Sequence, residues 1–184
     1  MEDIGQDILI KASQGEAQAF EEVYRLTSSF VYNVALRIVN NREDALEVAQ
    51  EVFMTIYHKL KNFRFESSFK TWVYRITANT AINFAKKKNR HKTVELEEFF
   101  KEGAVENEVR AKINREDAQA RIETLLAALT QDQRACVTLR DIEGLSYEEI
   151  AQALNININT VRSRLKRSRE KLLSLKNEVG YERV

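Results

Sequence analysis

The chain has 184 residues, 43% of them hydrophobic and 31% charged, with no proline, five glycines and one cysteine. That is enough for one domain or two small ones with a buried core, and the scarcity of helix breakers favours a mostly helical fold. A lone cysteine excludes an intramolecular disulfide and suits a reducing compartment, while a formal net charge of +1 argues neither for nor against nucleic acid.

The opening residues MEDIGQDILIKASQGE lack a basic start followed by an apolar run, so no signal peptide is expected. No stretch approaches the length of a membrane span, so the expected location is cytoplasmic, without membrane insertion. Charge is unevenly placed. Residues 11–92 hold fourteen Lys/Arg against eight Asp/Glu, residues 93–117 four against eight, and residues 159–176 seven against one. Two basic blocks therefore flank an acidic one.

A short helix is expected before Gly15. Three longer ones follow from apolar residues at helical spacing. Phe20, Val23, Tyr24, Val31, Val34 and Ile38 form the first stripe; Ala45, Val48, Ala49, Val52, Ile56 and Leu60 the second; Phe69, Trp72, Val73, Ile76 and Phe84 the third. Asn41, ahead of Glu43 and Asp44, suits a helix start, and Ser67 or Ser68 can cap the helix carrying Trp72. These helices predict a first bundle over residues 1–92. Residues 93–115 are acid-rich and weakly periodic, and read as a flexible linker. Period returns at Ile122, Leu125, Leu126 and Leu129, which places a second domain at 116–177 ahead of a frayed tail. No stretch alternates at period two, so the expected class is all-α: two small helical domains joined by a flexible acidic linker.

The second domain carries LSYEEIAQALNININTVRSRLKRSREKL, which has helix-turn-helix features. Ser146 with Glu149 three residues on is a capping box, and Ile150, Ala151 and Leu154 give an inward face. Asn155 to Ile158 is the expected turn, with Asn159 capping a second helix that turns Val161, Leu165, Ser168 and Leu172 inward. Arg162, Ser163, Lys166, Arg167 and Arg169 are left on or near the outside. A recognition helix needs this division, with apolar residues seating it and long polar side chains entering the major groove. In the first domain, AKKKNRHK at 85–92 follows an aromatic group of Phe63, Phe65, Phe69, Trp72 and Tyr74. Cations beside aromatics suit the phosphates and bases of a single strand. Phe69 and Trp72 also fit the core stripe, whereas Phe63 and Phe65 are harder to explain as packing.

The blocks EDALEVAQEVFMTIYHKL at 43–60 and FKTWVYRITANTAINFAKKKNR at 69–90 resemble the promoter-melting domain of the extracytoplasmic-function (ECF) sigma factors, in the sigma-70 family. LTQDQRACVTLRDIEGLSYEEIAQALNININTVRSRLKRSREKL at 129–172 resembles their second domain, which reads the −35 element. The resemblance implies a specificity subunit that binds core RNA polymerase and directs promoter-specific initiation. It implies core-polymerase contacts at Glu47, Gln50, Glu51 and Phe53. Melted −10 DNA would meet Phe63, Arg64, Phe65, Lys70, Trp72, Asn79, Lys86, Lys87 and Arg90, with Asn79 as a base reader whose amide both donates and accepts. The −35 duplex would meet Asn159, Thr160, Arg162, Ser163, Arg164, Lys166, Arg167 and Arg169. Such proteins are commonly held inactive by an anti-sigma factor, a further expected partner. Thr130 stands where the family often has proline, Asn159 where it often has glycine, and Glu47 and Asn83 where aspartate is frequent.

No enzyme is expected. There is no phosphate-binding glycine loop and no Ser/His/Asp set. His58 and His91 lie on different segments without zinc-ligand spacing, and Cys136 sits among apolar helix residues as core, so no cofactor or metal is expected. The chief rival is an autonomous DNA-binding regulator, which would need neither the Gln50 nor the Trp72 block. A protein that merely sequesters a helical partner leaves the basic recognition helix unexplained.

Overall fold

The computed structural model describes residues 4–97 and 118–178, and among them every regular element is helical. Helix α1 spans Gln6–Ser13, α2 Ala17–Val39, α3 Arg42–Leu60 and α4 Phe69–Glu97. Helix α5 spans Ala118–Ala127 and α6 Gln131–Val137; a π-helical turn, Thr138–Ile142, leads to α7, Tyr147–Leu154, and α8, Ile158–Glu178. No helix among the described residues is long and apolar enough to cross a membrane.

Side-chain caps and left-handed residues set the joints. Asn40 ends α2 at φ 57°, a left-handed conformation that asparagine tolerates better than most residues. Asn41 starts α3 at once, its side-chain oxygen accepting from the Asp44 amide at 3.0 Å. Ser68, not Ser67, caps α4, accepting from the Thr71 amide at 3.1 Å. Thr130 caps α6 in a reciprocal box with Gln133, so the residue standing in for a proline supplies a cap of its own. Ser146 and Glu149 form the expected box at α7.

The three stripes point mostly where their spacing predicts. Val23, Val31, Val34 and Ile38 of α2, Ala45, Val48, Val52, Ile56 and Leu60 of α3, and Val73, Ala78 and Ala81 of α4 are buried. Each large aliphatic side chain among them contributes about 1.5–3 kcal/mol. Two threonines share this core without an unmet hydroxyl: Thr27 donates to Val23 O at 2.6 Å and Thr77 to Val73 O at 2.8 Å, one turn back. Tyr24 departs from its stripe and is 50% exposed. It lies at the edge where α2 meets α3, its ring tilted against that of Phe53 at 4.6 Å between centroids.

One boundary also differs from expectation. Helix α4 continues through Glu97, past the predicted break at Thr93, because nothing in that acidic stretch breaks a helix. The remainder of the expected linker, from residue 98, lies outside the described residues. The two bundles share one continuous core in which α4 packs on α7 and α2 on α6.

Candidate nucleic-acid interface

In the second bundle, the Ser146 box starts α7 and Asn155 ends it at φ 52°. The cap of α8 falls on Asn157, whose side-chain oxygen accepts from the Asn159 amide at 2.8 Å. Asn159 is thus inside the helix and not its cap. The turn is shorter than the sequence predicts because α8 opens at Ile158. Val161, Leu165 and Ser168 face inward, and the Ser168 hydroxyl donates to Arg164 O at 2.7 Å. Leu172 is half-buried.

The outer face of α8 presents Asn159, Arg162, Ser163, Lys166 and Arg167, all exposed, with Thr160 half-exposed beside them. Arg162 rests on Asn159, donating to Oδ1 at 3.1 Å. This pair sits in the first turn, the part of a recognition helix that meets base edges. Two other arginines are engaged within the protein. Arg164 is half-buried and donates to Asp132 at 3.0 Å, and Arg169 donates to Asp141 of the π turn at 2.7 Å. Lys166 and Glu170, 3.9 Å apart and well exposed, form a pair worth little in water.

In the first bundle, the loop before α4 is an aromatic knot. Phe63 packs against Phe65, Trp72 and Phe69, with ring centroids 4.8, 5.1 and 5.8 Å apart. Phe63 is therefore partly a packing residue. Phe65 is 42% exposed and holds φ at 57°, a strained value of about 1–3 kcal/mol for a bulky residue. Arg64 is exposed beside it, and Lys70 lies over the Tyr74 ring, 5.9 Å from its centroid. Further along α4, Lys87 and Arg90 are exposed, and Lys86 pairs with Asp132 at 3.3 Å. Asn79 faces α7: its Nδ2 donates to Arg75 O at 2.8 Å and to Ala153 O at 2.7 Å.

A third surface runs between α2 and α3. It is an open groove of about 750 Å³ lined by Phe20, Tyr24, Leu46, Phe53, Met54 and Tyr57, with Gln50 on its rim. Leu46, Met54 and Tyr57 are each more than half exposed, unusual for large apolar side chains standing together. Glu47 and Glu51 lie exposed on the same helix.

Sequence reasoning missed the seam between the bundles. Glu143 accepts from Arg37 Nη1 at 2.9 Å and from the Tyr74 hydroxyl at 2.6 Å. Burial first, and then the bond to Glu143, push the Tyr74 hydroxyl well above its ordinary pKa. Asp132 gathers Lys86 from one bundle and Arg164 from the other. No local pattern marks these residues, because their partners are 106, 69, 46 and 32 positions away. Cys136 is fully buried, and burial pushes its thiol up to about 11, so it stays protonated at neutral pH.

A capped helix-turn-helix with a cationic outer face, joined to a helical bundle bearing an aromatic, basic loop, defines a two-part DNA-binding transcription protein. Residues 23–91 match the family model for sigma-70 region 2 and residues 119–172 that for sigma-70 region 4. The chain is 36% identical to the RNA polymerase sigma-H factor of Pseudomonas aeruginosa over 175 residues, 90% of each chain. It is 34% identical to the ECF RNA polymerase sigma-E factor of Escherichia coli over 174 residues, again 90% of each. The chain belongs to the ECF sigma factors of the sigma-70 family, which act with core RNA polymerase to start transcription at promoters.

Solved structures share the fold. The sigma factor RpoE of Bartonella quintana, in complex with the anti-sigma factor NepR, superposes with a TM-score of 0.68 at 22% identity, over 88% of this chain and 98% of that one. CnrH in complex with the cytosolic domain of CnrY gives 0.65 at 22% identity, over 93% and 96%.

Proposed function

We propose that the sigma-factor activity is divided among the three surfaces. The first bundle, residues 1–92, binds the polymerase and captures melted −10 DNA; residues 116–177 read the −35 duplex; residues 93–115 connect them. The observation that carries this division is the outer face of α8, where Asn159, Thr160, Arg162, Ser163, Lys166 and Arg167 stand free of the core on a capped helix-turn-helix. Arg162 pairs bidentately with a guanine edge, and Lys166 and Arg167 hold phosphates. Arg164 and Arg169 orient the helix through Asp132 and Asp141.

The aromatic loop and α4 receive the opened strand. Phe65 and Trp72 offer faces for stacking, Asn79 an amide that reads a base edge, and Arg64, Lys70, Lys86, Lys87 and Arg90 hold phosphates. The α2–α3 groove, with Glu47, Gln50, Glu51 and Phe53, docks a helical element of the core polymerase, its acids facing basic residues of that partner. The protein works in the cytoplasm by binding alone, without catalysis or cofactor. An anti-sigma factor controls it, as NepR is bound to RpoE in the similar structure.

Transcription from a random promoter library, with purified core enzyme and this chain, tests the whole reading. The expected result is initiation only when both are present, at sites sharing two elements of fixed spacing. An autonomous regulator would instead bind duplex DNA and direct no initiation.

A further inference from the structure

Three asparagines surround the start of α8, and the backbone gives two of them fixed duties. Asn155 takes the left-handed turn at φ 52°, and Asn157 caps α8 by accepting from the Asn159 backbone amide at 2.8 Å. The Asn159 side chain is thereby left free of any capping task, exposed in the first turn of a helix that opens at Ile158. Its Oδ1 accepts from Arg162 Nη1 at 3.1 Å, three residues on, where side chains of a helix share a face. Asn159, Arg162, Ser163 and Lys166 recur at helical spacing and are all exposed, so the pair lies on the stripe assigned to duplex DNA. Ser163 is turned back onto the helix, its hydroxyl donating to Thr160 O at 3.0 Å.

The partner of Arg162 differs in kind from those of its neighbours. Arg164 is bonded to Asp132, Arg169 to Asp141, and Lys166 lies 3.9 Å from Glu170. Each of these cations meets a carboxylate, which offsets its charge. Arg162 meets a neutral carboxamide oxygen and keeps its full charge. The bond takes one hydrogen of Nη1 and leaves Nε and Nη2, the parallel donors along one edge of the guanidinium that match O6 and N7 of guanine. A carboxylate at the same place would compete for the guanidinium and repel the phosphates of the groove. An untethered arginine samples many rotamers, and fixing it on a base costs entropy at the moment of binding. A neutral tether that sets the direction beforehand reduces that cost and leaves the charge intact.

We propose that Asn159 is a specificity-determining residue of the −35 site, a positioning residue that holds the Arg162 guanidinium aligned for a guanine edge. This rests on assigning the outer face of α8 to the duplex and Arg162 to guanine. In water the bond between two exposed side chains contributes little. It gains weight against the duplex, where solvent is displaced and only the correct base accepts both donors. Asn159 therefore governs the choice between bases more than the affinity for DNA as a whole, which the phosphates dominate.

The test uses the full chain bound to purified core polymerase. A duplex pool of random sequence is offered and the bound fraction sequenced, for the parent, Arg162→Ala, Asn159→Ala, the double variant and Asn159→Gln. Alanine is the better helix former, so Asn159→Ala does not threaten the fold, and glutamine keeps a neutral acceptor on a longer stem. The position at which Arg162→Ala abolishes a guanine preference defines the base that Arg162 reads. Asn159→Ala should lower the preference for guanine there about fivefold, while affinity for the unselected pool changes by less than about twofold. Asn159→Gln should restore most of the preference. On a duplex carrying the selected guanine, the double variant should bind no more weakly than Arg162→Ala, because the two residues act as one unit. An undiminished guanine preference in Asn159→Ala, or losses that simply add in the double variant, would overturn the positioning role. If Arg162→Ala abolishes no guanine preference, the failure lies in the reading of α8 itself, and the role of Asn159 falls with it.

Discussion

Arg164, on α8, reaches back to Asp132 on α6 at 3.0 Å, while Arg162, two residues earlier, points outward against Asn159. Neighbouring arginines of one helix thus have different tasks. Replacing Arg162 and Lys166 together by alanine should weaken −35 duplex binding, relax specificity at the base that Arg162 reads and lower the salt slope by about one, for the phosphate contact of Lys166. Arg164→Ala should instead lower the midpoint of thermal unfolding and leave the slope nearly unchanged. Duplex titrations over a range of salt, with melting curves for each variant, check both. Equal slopes for the double variant and the parent would show that α8 is not the reading element.

The groove between α2 and α3 makes a second prediction. Leu46 and Met54 are 62% and 58% exposed, so neither supports the core. Leu46→Glu and Met54→Lys should leave unfolding within about 0.5 kcal/mol of the parent. Core-polymerase affinity should fall at least about tenfold, as expected when an apolar anchor is lost from the centre of an interface. Pull-down with purified core enzyme measures this, and undiminished capture by both variants would move the docking surface elsewhere.

Ser146 tests the helix-turn-helix itself. Its hydroxyl accepts from the Glu149 amide at 3.1 Å, and Glu149 returns the bond to the Ser146 amide at 2.7 Å. Ser146→Ala should cost about 1 kcal/mol and Ser146→Asp much less, since aspartate also caps. Urea unfolding followed by circular dichroism gives the values. Duplex affinity should fall alongside stability, because α7 seats α8.

Tyr74 gives a pH dependence. Its hydroxyl is raised in the folded chain by burial and by Glu143, whereas an unfolded tyrosine ionises near 10. The folded state therefore binds this proton more tightly. The associated stability is full below about pH 10 and declines as pH rises further, when the unfolded state releases the proton first. The melting temperature of the parent should accordingly fall more steeply above about pH 10 than that of Tyr74→Phe. Parallel curves across that range would mean that Tyr74 is not buried against Glu143 in solution.

Much of this was legible in the sequence because it depends on local rules. Val48, Val52 and Ile56 are buried because they recur every four residues, and Ser146 caps because glutamate follows three positions on. The cap of α8 was misplaced by two residues because Asn155, Asn157 and Asn159 are chemically equal candidates. Only the backbone decides among them: Asn155 takes the left-handed position and Asn157 the cap. Tyr24 fits a helical stripe by spacing yet faces the groove, since period fixes a face but not what lies opposite. Glu143 and Asp132 look like ordinary surface acids. Their importance comes from contacts between bundles, which no window along the chain contains.

Helix α4, unbroken over 29 residues, is a rod about 43 Å long. The aromatic loop adjoins its first turn, and Arg90 stands 21 residues from Phe69, some 32 Å along the axis. Stacked duplex advances about 3.4 Å per base pair, so that span corresponds to roughly nine pairs. With no hinge between the two points, the rod acts as a ruler. The aromatic loop and the exposed cation at Arg90 are held at a distance set by helix pitch, and inserting or deleting one turn would change that interval by about 5.4 Å.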